Sequence, residues 1–85
     1  KGAPIAILLA HREQEGVQLV TGLSRDLVER GLNASDWIKA VAKVVQGGGG
    51  GRPDLAQAGG KKPERLEDAL ARGVEVIKDG LGSGG

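Results

Sequence analysis

The sequence predicts a small α/β domain, and three observations carry that expectation. Residues 4–10 (PIAILLA) form a short run that is apolar on both alternating faces. Residues 17–23 (VQLVTGL) form a second β-like run, rich in branched side chains. Beyond Ser24 the apolar period lengthens from two to about 3.6, the mark of helices rather than strands. The chain has 85 residues, enough for one domain. It holds one aromatic residue, Trp37, and no Phe, Tyr, Met or Cys, so its core must be Leu, Ile, Val and Ala.

In the first strand Ile5, Ile7 and Leu9 share one face and Ala6, Leu8 and Ala10 the other. Two apolar faces predict a central strand covered on both sides. The polar stretch His11 to Gly16 then reads as a hairpin connector. The second strand carries Gln18 and Thr21, which predicts one wetter face. Ser24 is placed to cap a short helix over 25–30 that Gly31 stops. Ser35 or Asp36 opens a second helix running to about Val45. Trp37, Ile38, Val41, Val44 and Val45 fall on one stripe of it, which makes Trp37 a core residue. Pro63 in the first turn, followed by Glu64, Glu67 and Asp68, suits the start of a third helix. Leu66, Ala69, Leu70, Gly73, Val74 and Ile77 would be its buried face, and Gly80 its end. The domain is therefore read as residues 1–80, with 81–85 a flexible glycine-rich tail.

Between the second and third helices stand five consecutive glycines, Gly47 to Gly51. Composition alone suggests a linker. Too little chain follows to form a second domain, and the last helix needs the strands to cover its apolar face. The run is therefore expected to be ordered within one domain, beside a strand-like LAQA segment. A chain of free backbone N–H groups there could cradle an anion, with Arg52 as a bidentate donor. Alternatively, Gly47 caps the preceding helix and the other glycines permit close backbone approach. A nucleotide phosphate loop does not fit, because the run follows a helix and Gly60-Lys61 is followed by Lys62, not Ser or Thr.

Gly59-Gly60-Lys61-Lys62-Pro63 is the better electrostatic candidate. It lies between a strand and a helix start, where free N–H groups and the helix dipole favour an anion. The plain alternative is a solvated turn. Residues 43–65 hold five basic residues (Lys43, Arg52, Lys61, Lys62, Arg65) against Asp54 and Glu64. The positive charge is thus concentrated where the glycines are, although Asp54 can simply pair with Arg52. The whole chain carries a formal charge of only +1. That argues against a histone-like binder, and one aromatic residue argues against base stacking as the main grip.

Other chemistry is narrowed by inventory. With no Cys and one His, a cysteine-rich zinc site, a disulfide framework and a thiol nucleophile are excluded. No Ser or Asp is placed to work with His11, which reads as an ordinary strand-end residue. Glu67 and Asp68 read as solvated helix residues. The longest apolar run, Pro4 to Ala10, is too short to cross a membrane.

The stretch GGGGGRPDLAQAGG at 47–60 resembles the hallmark of the C-terminal domain of alanyl-tRNA synthetases. Ile5–Leu9, the VTGLSRDL stretch at 20–27 and Ala40-Val41-Ala42-Lys43 resemble that family in order and spacing, so the likeness covers roughly residues 3 to 79. It implies the DHH-associated fold, a small α/β domain with a mixed sheet flanked by helices. It also implies a fragment lacking the family's first strand and helix, so that the first strand would lack a neighbour.

In function, the resemblance implies a non-catalytic module that binds the outer corner of tRNA(Ala) and supports aminoacylation and editing by a parent enzyme. Partners would be tRNA and the parent's other domains, in the cytoplasm; a homodimer is admitted and a membrane is not. No cofactor is expected in this chain. ATP, Mg and Zn would serve the parent elsewhere. Arg52, Lys61, Lys62 and Lys43 are the expected tRNA contacts, with the backbone of Gly59 and Gly60, and together they are expected to form one positive face. Three competing readings remain. A DHH-type phosphoesterase substrate domain would show Gly-Gly-Gly-His and then Ala-Ala-Gly, but Arg52 stands near the His position and Pro53-Asp54 does not fit. The equivalent domain of a free-standing editing protein and a purely structural or dimerisation module are the others.

Overall fold

A computed structural model describes residues 4–83. The element order is β1 (Ala6–Glu13), β2 (Gly16–Leu23), α1 (Arg25–Glu29), α2 (Ala34–Val44), β3 (Gly48–Gly51), β4 (Leu55–Gly60), a 3-10 turn (Pro63–Arg65) and α3 (Leu66–Ser83). The strands form one sheet in the order β1-β2-β4-β3. Every pairing is antiparallel. The α/β class stands, but the sheet is antiparallel throughout rather than mixed.

β2 is the strand that organises the core. Its odd residues Val17, Leu19, Thr21 and Leu23 are buried, while Gln18 is exposed as its polarity demands. Val17, Leu19 and Leu23 meet Leu27, Ile38, Val41, Ala42, Val45, Ala56 and Ala69 in one cluster. The Thr21 hydroxyl is wholly buried and donates to the Ala34 carbonyl at 2.9 Å, so its burial leaves no orphaned donor. Trp37 is 5% exposed, and its indole Nε1 donates to the Gly73 carbonyl at 2.9 Å, tying α2 to α3. Gly73 is what lets the helices meet there, because a Cβ would overlap a Leu8 methyl and lie 3.1 Å from Val41 Cγ2.

β1 departs from expectation. It is an edge strand, bonded to β2 alone. Helices cover only the sheet face that carries Leu8, so Ile5, Ile7 and Leu9 stand 54%, 45% and 60% exposed. The helix boundaries also shift. Asn33, not Ser35 or Asp36, caps α2, its side chain accepting the Asp36 N–H at 3.1 Å. Ser24 stands at the cap position of α1 but spends its hydroxyl otherwise: it accepts the Ile5 N–H at 2.9 Å and donates to Asp26 Oδ1 at 2.6 Å. It thus fastens the start of β1 to α1. α3 runs through Gly80 to Ser83, so the expected tail is helical up to that point; residues 84–85 lie outside the described ones. Val74, expected inside, is 51% exposed.

The glycine run is ordered, as expected, and it is a strand. β3 lies at the sheet edge against β4, with Gly49 opposite Ala58. The reason is steric. A Cβ on Gly49 would lie 2.5 Å from Ala58 Cα, and one on Gly51 2.6 Å from the Leu55 carbonyl oxygen. Only a strand without side chains at these positions can approach β4 this closely.

Candidate nucleic-acid interface

Register decides which cations meet. Arg12 on β1 pairs with Val17 on β2, and Val17 with Gly60 on β4. Lys61 and Lys62 follow directly. The Arg12 guanidinium donates to the Pro63 carbonyl at 3.2 Å, which holds it beside the two lysines. Lys43 is exposed in the last turn of α2, two residues before Val45. The Val45 carbonyl in turn accepts the N–H of Lys61 at 2.8 Å and of Lys62 at 3.1 Å. One end of the sheet therefore gathers Arg12, Lys43, Lys61 and Lys62, with a single carbonyl as the hub of its backbone.

The same geometry corrects the expectation of free backbone donors. The N–H groups of Lys61 and Lys62 are taken by Val45. Gly59 and Gly60 lie in the ladder, opposite Gln18 and Val17. After Lys62 comes a three-residue 3-10 turn, in which the Arg65 N–H bonds back to the Lys62 carbonyl at 2.9 Å. An anion arriving here meets side chains, not a cradle of amides. Lys61 is exposed. Lys62 is half-buried, with Nζ 3.9 Å from Glu64 Oε2.

Arg52 is elsewhere. It lies in the turn at the opposite end of β4, and six residues of strand put it about 20 Å from Lys61. Its Nε pairs with Asp54 Oδ1 at 3.3 Å, the simple pairing that the sequence suggested. Arg25, at the start of α1, lines a 280 Å³ surface pocket together with Leu23, Val28, Pro53 and Asp54. The expected single positive face is thus divided: Arg52, paired with Asp54, stands at the end opposite Lys61 and Lys62. Sequence reasoning missed Arg12 and Arg25 because both reach their ends through strand register and chain crossing. Local charge counts carry no signal for either.

Among the described residues no group of three or more His, Cys, Asp or Glu comes together, so they do not fit the zinc implied for a parent enzyme. No described helix is long and apolar enough to cross a membrane.

Comparison with known proteins agrees with this architecture. The DHHA1 domain model matches residues 1–79. The alanine–tRNA ligase of Rhodopirellula baltica is 57% identical over 79 residues, which are 93% of this chain and 8% of that protein. The alanine–tRNA ligase of Bacillus subtilis is 48% identical over 75 residues, 88% of this chain and 8% of that one. The chain thus spans about 8% of the length of these ligases. The crystal structure of the C-Ala domain from Aquifex aeolicus alanyl-tRNA synthetase superposes with a TM-score of 0.74 at 38% identity, covering 89% of this chain and 64% of that one. With fold, motif and sequence in agreement over nearly its whole length, the chain belongs to the DHHA1 domain family, in the form found as the C-terminal domain of alanyl-tRNA synthetase.

Proposed function

We propose that this domain is a non-catalytic tRNA-binding module. It holds the outer corner of tRNA(Ala) and so supports aminoacylation and editing by a parent synthetase in the cytoplasm. The observation that carries the reading is the convergence of Arg12, Lys43, Lys61 and Lys62 at one end of the sheet, in a chain of this family. Four side-chain cations on a rigid edge suit a phosphate backbone. With one aromatic residue, itself buried, the domain has no platform for stacking bases. Recognition follows backbone shape and charge, as duplex RNA with its hidden major groove requires. The ATP and Mg of the aminoacylation site and the Zn of the editing centre belong to other domains of the parent, which are the module's neighbours.

Phosphate contacts leave a signature in salt. Three or four of them give a slope of log K against log salt of about −3 to −4, taking ~0.9 per phosphate as a guide. Affinity is then weak, roughly micromolar near physiological salt. The test is fluorescence anisotropy with tRNA across about 50 to 300 mM salt, the range over which screening changes most usefully. Lys61→Glu with Lys62→Glu should weaken binding to all tRNAs alike and flatten the slope by about two units. A double variant that binds with the parent's slope rules this end out as the tRNA surface.

A further inference from the structure

We propose that the open face of the sheet, centred on Ile7, Leu9 and Leu55, packs against the same face of a second copy of this chain, giving a weak two-fold dimer. The proposal stands on the sheet alone and uses nothing of the lysine end, so it does not rest on the RNA-binding reading.

Register places these side chains together. Ile7 pairs with Gly22 and Gly22 with Leu55, while Leu9 pairs with Val20 and Val20 with Gln57. Cross-strand partners project from one face, and this is the face that the helices leave bare. On it Ile5, Ile7, Leu9 and Leu55 are all exposed. The next row, His11, Gln18 and Gly59, is polar and lies toward Lys61. The apolar half is thus confined to the end of the sheet away from the lysines. Gly22 has no side chain, and a hollow of 270 Å³ lies there between Ile5, Ile7, Ser24 and Asp54. A projecting Leu9 beside a hollow is self-complementary. A two-fold axis lets each copy's Leu9 enter the other's hollow.

Charge and area both point to a second copy as the occupant. The two apolar rows hold no charged side chain, so apposition buries no ion. The rim carries both signs, Arg25 and Arg52 with Asp26 and Asp54, and such a mixture meets itself without net repulsion. The exposed apolar surface is on the order of a few hundred Å² per copy, the size of patch that marks interaction sites. Doubled, it stays below the ~1,600 Å² of a standard stable interface, which fits a weak dimer rather than a tight complex.

Pairing of two β1 edges is the competing geometry. The Ser24 N–H bonds to the Ile5 carbonyl at 2.8 Å. Antiparallel alternation then turns the N–H groups of Ala6, Leu8, Ala10 and Arg12 away from β2. Joining two such edges exchanges bonds to water for bonds to protein and leaves Ile7 and Leu9 exposed. Face packing takes them out of water, which is the larger driving force.

Sedimentation equilibrium of the chain from about 5 µM to about 1 mM tests the proposal, since a Kd on the order of 100 µM is expected for an interface of this class. At a few micromolar the chain is then a monomer. Leu9→Lys should raise the Kd about tenfold or more, because it puts a charge at the centre of the interface. Val74→Lys is the control, since Val74 is equally open (51% exposed) but lies on α3, and it should leave the Kd within about twofold. A chain that stays monomeric to 1 mM overturns the proposal and leaves the face to a segment of a parent protein. Dimerisation that survives Leu9→Lys, or that Val74→Lys weakens as much, overturns it too. Amide exchange of the unsubstituted chain needs no variant to fold. At high concentration the Ala6, Leu8 and Ala10 amides should exchange as fast as in the monomer, and their protection would assign the dimer to the β1 edge instead.

Discussion

Gly49 and its neighbour Gly48 separate two explanations of the glycine run. If glycine served only for flexibility, the two positions would be equivalent. A Cβ at Gly49 would lie within 2.5 Å of Ala58 Cα, whereas one at Gly48 meets nothing within 4 Å. Gly49→Ala should therefore destabilise by ~1–3 kcal/mol through forced backbone movement, and Gly48→Ala should stay within about 0.5 kcal/mol of the parent. Thermal unfolding resolves this, since 1 kcal/mol shifts the midpoint by about 4–8 °C in a domain near this size. Equal midpoints for the two variants would contradict the steric account. Positive φ plays no part at Gly49; among the described glycines it is Gly31, at φ 99°, that ends α1 in the left-handed region.

At the scale of elements, β1 and β3 show what a linear pattern can and cannot carry. An apolar strand on both faces is what a doubly covered strand looks like. It is also what an edge strand looks like when its second face is left open, and nothing local distinguishes them. The two cases predict different energetics. Leu19, wholly buried in β2, should lose about 2–5 kcal/mol on substitution by Ala. Leu9→Ser, on the open face at 60% exposure, should cost less than about 1 kcal/mol. Chemical denaturation of both variants measures the contrast, and a large loss at Leu9 would mean that β1 is covered after all. The helices were more legible. The Trp37–Val45 stripe and the Pro63 start carry their own periodicity and capping chemistry; the structure moves the ends of α2 by a residue or two, opens α3 with a 3-10 turn at Pro63 and carries it past Gly80 to Ser83. The glycine strand was legible as ordered but not as a strand, because glycine has poor β-propensity and β3 exists through its fit to β4. The two-ended distribution of cations was illegible. It depends on the pairing of Val17 with Gly60 and on the Val45 carbonyl capturing Lys61 and Lys62, both contacts distant in sequence.

At the scale of the whole molecule, a domain of 40 × 20 × 18 Å presents cations at both ends of a side-chain-free edge and a sheet face rich in exposed Ile and Leu. The chain spans about 8% of the length of the alanine–tRNA ligases it matches. The proposed binding through phosphates and shape means that the domain should not read the sequence that distinguishes one tRNA from another. The most direct measurement is the affinity of this chain, by anisotropy at one fixed salt concentration, for three RNAs: tRNA(Ala), a tRNA of another specificity, and a hairpin of the acceptor arm alone. The account predicts equal binding to the two tRNAs and clearly weaker binding to the hairpin, which lacks the outer corner. Binding confined to tRNA(Ala), or hairpin binding as tight as that of the whole tRNA, would contradict it.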